Sequence, residues 1–277
     1  MSAKNGQKGS PGRPVDAIIL AAGEGKRMAA AGERVRPKVV YEVAGQPMIR
    51  WVVEACLEAG VRRCIVVIGF EGGQVRQALS EVDGCLFVEQ SERKGTGHAV
   101  QMAQPLFGPG MDEADVFVLA GDGPLIRPQT LGTLLRTHRE AGAAATLATS
   151  VLDDPQGYGR VIRDARGRFE RIVEQKDAMA AELAVREINP SYYCFDARKL
   201  FAALGRVGNA NSQGEYYLTD VPGLLKQEGE RVVVVEAVAP RDVLSINTPE
   251  QLAEVDQLLR EREALRVAPM GTGRSLG

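Results

Sequence analysis

Through the first half of the chain, short apolar runs alternate with amphipathic stretches. VDAIIL at 15–20, CIVVIG at 64–69, CLFVEQ at 85–90 and DVFVLAGD at 115–122 are each long enough for one strand and rich in branched side chains. Such runs predict strands of a parallel sheet buried on both faces. Between them the apolar period changes. Ile49, Val52, Val53, Cys56 and Leu57 predict a helix from about Pro47 to Ala59, stopped by Gly60. Further helices are predicted from Thr96 to Met102, with Thr96 as its N-cap, and from Pro128 onward over Leu131, Leu134 and Leu135. Strand-helix alternation predicts an α/β fold, Rossmann-like, with a mostly parallel sheet and flanking helices.

From Ala143 the pattern changes. ATLATSV at 145–151 predicts a strand, and RVIRD and RFERIVE predict a hairpin turning at Asp164–Gly167. AVREINPSYYCFDA and RVVVVEAV carry further strands, with a helix near Ala197–Leu204. Thr248 as N-cap, Pro249 behind it and Gln251 three places on predict the start of a last helix. This half has an α+β character. The chain therefore divides into a leader over 1–14, a first half over 15–130, a second half over 131–260 and a tail over 261–277.

The 277 residues, 44% apolar and 25% charged, are ordinary for a globular protein. A formal net charge of −2 gives no wide basic surface for nucleic acid and suits a small phosphorylated ligand better. Four cysteines without a CxxC pair read as buried reduced thiols, and two histidines make a His/Cys zinc site improbable. His138, on a helix flank, is expected to be solvated. No signal peptide or membrane-length apolar run is seen, which points to the cytoplasm.

Candidate chemistry gathers after the strands. In LAAGEGKRM at 20–28 the side chains shrink to Ala21, Ala22, Gly23 and Gly25, then Lys26 and Arg27 bring positive charge. Small residues allow close backbone approach, and exposed N–H groups hold phosphate oxygens. The same stretch also reads as a tight turn with two solvated cations. EQSERKGTGHA at 89–99 offers Gln90 as a base-reading amide; AGDGPL at 120–125 offers Asp122 as a Mg²⁺ ligand or a turn cap. Neither GxxxxGK[ST] nor GxGxxG is present. In open parallel sheets ligands lie at the carboxyl ends of strands, so 20–28, 90–97 and 121–125 are expected to converge there.

LAAGEGKRM, RPKVVYEVAGQPM, QSERKGTGHA, AGDGPL, GYGR, IVEQKD, EIN and QGEYYLTD together resemble the uridylyltransferase half of bacterial GlmU proteins, the N-acetylglucosamine-1-phosphate uridylyltransferases. The likeness covers about Val15 to Leu259. It implies a glycosyltransferase-A-like nucleotidyltransferase with a sugar-binding α+β half. It implies that Leu20, Ala21, Ala22 and Gly23 embrace the nucleotide, that Arg27 and Lys38 contact phosphates, and that Gln90, Gly95 and Thr96 form the uridine pocket. Gly159, Glu174, Asn189, Tyr217 and Thr219 would face the amino sugar, and Asp122 with Asn247 would hold Mg²⁺. The implied reaction is UTP plus N-acetyl-α-D-glucosamine 1-phosphate giving UDP-N-acetylglucosamine and diphosphate. Open alternatives are another sugar 1-phosphate such as glucose 1-phosphate, or dTTP, or a nucleotide-sugar binding protein without activity. Three departures stand out: Ala120 where the family usually carries tyrosine, Pro190-Ser191 in an INxG position, and no hexapeptide repeats of a left-handed β-helix, so acetyltransfer is not expected.

Overall fold

The structure, a computed structural model, describes residues 12–29, 34–108 and 114–267. Its centre is β1 (Val15–Ala21), flanked in parallel by β4 (Cys64–Ile68) and β6 (Asp115–Ala120), with β5 (Cys85–Glu89) outside β4. Between β1 and β4 lie a hairpin, β2 (Glu42–Val43) and β3 (Gln46–Pro47), and helix α1 (Met48–Glu58). Ala44 and Gly45 turn the hairpin with φ of 50° and 87°, the paired positive values of a tight primed turn. Helices α2 (Gly72–Ala78), α3 (Thr96–Gln101) and α4 (Pro128–Ala141) follow β4, β5 and β6.

Beyond β6 the sheet turns antiparallel. β11 (Tyr192–Asp196) lies against β6, then come β7 (Ala145–Val151), β10 (Glu187–Asn189), β8 (Gly159–Arg163) and β9 (Phe169–Val173). β12 (Val232–Glu236) adds a parallel partner to β7, completing ten strands. The short α5 (Ala180–Leu183) and then α6 (Ala197–Leu204), α7 (Val221–Gln227) and α8 (Pro249–Val267) complete the helices. The architecture is a Rossmann-like mixed sheet with flanking helices. The parallel strands β1, β4, β5 and β6 belong to the first half of the chain; in the second half antiparallel pairing prevails, with β8 and β9 forming a hairpin and β12 joining β7 in parallel after α6 and α7.

Both faces of β1 are covered. Ala17, Ile19 and Ala21 join a core that includes Val52, Val66 and Leu131, while Ile18 packs on the opposite side with Val67, Phe195 and Leu200. This is why its apolar run is continuous rather than alternating. A smaller cluster seats Val255 and Leu259 of α8 against Met28, Tyr41 and Met48, so the last helix returns to the first half.

Several local expectations change. His138 is buried rather than solvated: Nδ1 lies 3.0 Å from Thr146 Oγ1 and Nε2 3.7 Å from Asp115 Oδ1. Burial holds its pKa below the ordinary histidine value, so it serves as a neutral core residue. Gly95, not Thr96, is the N-cap of α3. α8 runs on to Val267, into the stretch assigned to the tail. Of the expected leader, residues 1–11 lie outside the described residues, and Arg13 pairs with Asp115 and Asp196. Of the tail, 268–277 lies outside them too.

Candidate active site

β1 connects onward to β4 on one side, whereas β6 lies on its other side. That reversal leaves a crevice at the carboxyl ends of β1 and β6, the place where open α/β sheets bind ligands. Leu20–Gly23 leave β1 there and Ala120–Asp122 leave β6. Because β11 runs antiparallel to β6, pairing Tyr192 with Leu119, the start of β11 arrives at the same edge.

The glycine loop is zipped to the segment that carries Lys38. Gly25 N–H donates to Arg36 O at 3.0 Å and Lys38 N–H to Gly23 O at 3.3 Å. A Cβ on Gly25 would lie 2.7 Å from Arg36 O, so this glycine is required by contact within the protein. A Cβ on Gly23 would meet no protein atom within 4 Å and would project into open space. The two glycines thus differ: Gly25 is fixed by chain packing, whereas Gly23 borders the open space of a cavity. Lys26 turns away onto Glu24 at 2.6 Å, and Arg93 reaches the same carboxylate at 2.7 Å. Lys26 foremost, with Arg93, holds Glu24 below the usual carboxylate range. Arg27 points instead to Asn247, with Nη2 3.1 Å from Oδ1.

Two adjoining cavities open at this edge. One, of about 380 Å³, is lined by Leu20, Ala22, Gly23, Arg27, Lys38, Gln90, Gly95 and Thr96, together with Thr219. The other, of about 220 Å³, is lined by Gly159, Asn189 and Asn247, with Tyr158 and Tyr192. Ala120, Asp122, Glu174 and Ser191 belong to both walls. At the junction the Lys38 ammonium pairs with the Asp122 carboxylate and donates to Asn247 Oδ1 at 2.7 Å. Asp122 and Asn247 therefore present two oxygens to one cation. Their segments are tied as well, since Ile246 N–H donates to Asp122 O at 3.2 Å. Asn247 itself is held by the start of α8: its N–H donates to Gln251 Oε1 at 2.7 Å, and Gln251 N–H to Thr248 Oγ1 at 3.3 Å.

Gln90 is buried. Its Nε2 donates to Gly95 O at 3.1 Å and lies 3.0 Å from His98 Nδ1. Both amide hydrogens are thereby occupied, and Oε1 is left to accept. Thr96 Oγ1 accepts from Leu218 N–H at 3.0 Å, and Gly97 N–H donates to Tyr216 O at 2.8 Å. A Cβ on Gly95, whose φ is +101°, would come within 2.6 Å of Tyr216 O. The GTG turn therefore docks the 215–219 segment onto the cavity wall.

Glu174 is half-buried and accepts from Thr219 Oγ1 at 3.0 Å. Burial raises its pKa, a shift the Thr219 hydrogen bond opposes. Asn189 donates to Tyr193 Oη at 2.6 Å and accepts from Ser191 N–H at 3.3 Å, so its amide is largely committed inside the protein. Tyr217 lies outside both cavity walls; burial and then the Asp177 carboxylate push its phenol up to about 12. Ala21 contributes to the core beneath the loop rather than to the wall. Wall residues that sequence reasoning passed over include Glu24, Arg93, Tyr158, Ser191 and Tyr192. Arg93 had a signal, since it stands between Gln90 and Gly95 in QSERKGTGHA.

Residues 17–266 match the MobA-like NTP transferase domain. The chain belongs to that family. This NTP transferase domain is 47% identical over 246 residues to a protein of Heliobacterium modesticaldum called bifunctional protein GlmU, covering 89% of this chain and 52% of that one. Proteins of the same description from Brevibacillus brevis and Pelotomaculum thermopropionicum are 44% and 47% identical over 248 and 247 residues, covering 90% and 89% of this chain and 52% of each relative. The chain thus spans about half the length of the curated relatives it matches. Membership of the family makes it an enzyme of nucleotidyl transfer. No helix among the described residues is long and apolar enough to cross a membrane.

Proposed function

We propose that the chain joins UTP to N-acetyl-α-D-glucosamine 1-phosphate, forming UDP-N-acetylglucosamine and diphosphate. One observation carries the reading: two cavities of different lining meet at Asp122, with Lys38, Arg27 and Asn247 converging beside it. Two phosphorylated substrates that must react at their phosphates fit that plan. The likeness to GlmU proteins supports the choice of substrates.

In the larger cavity the backbone at Leu20–Gly23 lies against the nucleotide, and Gln90 Oε1 accepts the N3–H of uracil. In the smaller one Glu174 and Asn189 face the sugar while Gly159 leaves room for the ring. A phosphate oxygen of the sugar phosphate forms a bond to the α-phosphorus of UTP. The bond from that phosphorus to the α–β bridging oxygen breaks, and diphosphate departs with the electron pair. The attacking phosphate is mostly dianionic near neutrality, its second pKa being about 6, so no general base is required. Arg27 and Lys38 offset the negative charge that converges on the junction.

Asp122 and Asn247 offer a carboxylate and an amide oxygen already directed at one cation, which suits a hard divalent ion completed by water and phosphate oxygens. Mg²⁺ held by these two residues would supply further neutralisation between the joined phosphates.

The test is diphosphate release with UTP and N-acetylglucosamine 1-phosphate, with and without Mg²⁺, beside glucose 1-phosphate and dTTP. The reading expects Mg²⁺-dependent release and a clear preference for the acetamido sugar, since polar groups left unpaired penalise the analogue. Equal use of glucose 1-phosphate overturns the sugar assignment and leaves nucleotidyl transfer standing.

A further inference from the structure

Tyr192 is 1% exposed, at the first position of β11, yet its side chain forms part of the smaller cavity's wall. Its neighbours on β11 divide between the two cores: Tyr193 and Phe195 pack on one face, and Tyr192 and Cys194 on the other. Tyr192 is thus a core residue along its ring whose hydroxyl end reaches the site. Among the described residues its Oη has no hydrogen-bond partner, and it is not one of the fully buried unpaired oxygens, so it is open to the cavity. A tyrosine whose ring is buried ordinarily finds a partner for its hydroxyl, and here only a molecule in the cavity can supply one. The nearest backbone has been cleared for it. A Cβ on Gly123 would stand 2.9 Å from Oη, so Gly123 is the residue that lets the hydroxyl sit beside Asp122. Ala120, at the end of β6 and on the same wall, offers no polar group. A phenol keeps its proton near neutrality, so the hydroxyl can donate.

We infer that Tyr192 Oη is a specificity-determining contact for the sugar 1-phosphate, donating to a ring hydroxyl at the end of the smaller cavity nearest Asp122, with Gly123 setting its position. The inference rests on the sugar-phosphate reading above and adds to it a contact that neither the motifs nor the family match assigns. A phenol can donate and accept at once, which matches a pyranose hydroxyl better than it matches a phosphate oxygen alone.

Tyr192→Phe keeps the ring and removes the oxygen. The expected result is a KM for N-acetylglucosamine 1-phosphate raised about three- to tenfold, the range of one neutral hydrogen bond. The KM for UTP and kcat should stay within about twofold, as they do when uniform binding to one substrate is lost. Gly123→Ala is the second variant, because its Cβ displaces the hydroxyl while leaving Tyr192 in place. It should raise the same KM. In the double variant the methyl occupies the space the oxygen vacated, so the KM should be no higher than in Tyr192→Phe alone. A purely structural tyrosine would move thermal stability, kcat and both KM values together. An unchanged sugar-phosphate KM in Tyr192→Phe, or strictly multiplicative effects in the double variant, overturns the inference alone. A parent protein that turns over no sugar 1-phosphate removes the reading and the inference together.

Discussion

Lys38 Nζ lies 2.7 Å from Oδ1 of Asn247, 209 positions further along the chain, and the same ammonium pairs with Asp122. Three residues from the segment after β1, the end of β6 and the approach to α8 thus share one charge balance. Asp122 supplies the only formal negative charge of the three. Asp122→Ala is expected to lower kcat by about 100-fold or more, the usual loss when one preorganised electrostatic group is removed. Thermal unfolding should persist as a single transition, since Asp122 is not part of either main core. Diphosphate release and calorimetry check the two halves of this expectation. Turnover within about tenfold of the parent would remove Asp122 from the chemistry.

Gln90 predicts base choice by a narrower route than its composition suggests. Its two amide hydrogens are used on Gly95 O and His98 Nδ1, which leaves an acceptor. Uracil has an N–H at the position where cytosine has a lone pair. Gln90→Leu should therefore lower kcat/KM for UTP by about tenfold, the value of a good hydrogen bond in a buried site. CTP should change much less, so the ratio of the two narrows. Parallel kinetics on both nucleotides decide the matter, and an unaltered ratio leaves Gln90 as a support for the Gly95 turn.

Glu174 predicts a pH effect with a definite sign. Burial raises its folded-state pKa above the ordinary carboxylate value. The folded state then holds its proton more tightly than the unfolded state does. Stability from this group is fully present below the unfolded pKa and declines as pH rises through the interval up to the folded pKa. Glu174→Gln keeps the acceptor for Thr219 and removes the ionisation. The variant should melt above the parent at pH 7.5 and level with it at pH 4. If the melting difference were the same at both values, burial of Glu174 would not govern its charge. Sugar-phosphate turnover should fall about tenfold if the carboxylate also grips sugar hydroxyls.

Thr248 tests how the start of α8 serves the site. Its Oγ1 accepts from Gln251 N–H, and Gln251 in turn holds Asn247 N–H. Thr248→Ala should cost about 1 kcal/mol, a typical loss for an N-cap. Urea unfolding would show this as a lower midpoint with an unchanged slope. The same variant should lower kcat several-fold if Asn247 loses its orientation; a stability loss with full kcat would separate the cap from the site.

Much of the fold could be read in the chain because buried strands and amphipathic helices have different periods. β1, β4, β6, β7, α1 and α6 fall close to their expected places for that reason. The gathering of 20–28, 90–97 and 121–125 at one sheet edge was also legible, since all three follow parallel strands. What escaped was decided by partners far off in sequence. Thr96 looks like a cap until Leu218 is seen to use its hydroxyl. Lys26 looks like a phosphate ligand until Glu24 neutralises it. His138 sits on a helix flank that Thr146 and Asp115 happen to cover. Tyr192 reads as one more aromatic in YYCF, and only the missing Cβ of Gly123 gives its oxygen a place at the site.

The tie between Ile246 and Asp122, and the seat of Val255 and Leu259 on Met28 and Tyr41, impose an order in time. During synthesis the glycine loop, Lys38, Gln90 and Asp122 leave the ribosome early and can fold around the parallel strands. Asn247 and the helix that fixes it are made late. A nascent chain that has passed Thr219 but not yet reached Asn247 would therefore hold the nucleotide-facing wall without the second oxygen beside Asp122. Catalytic competence arrives in one step, when α8 emerges and closes back onto the beginning of the chain.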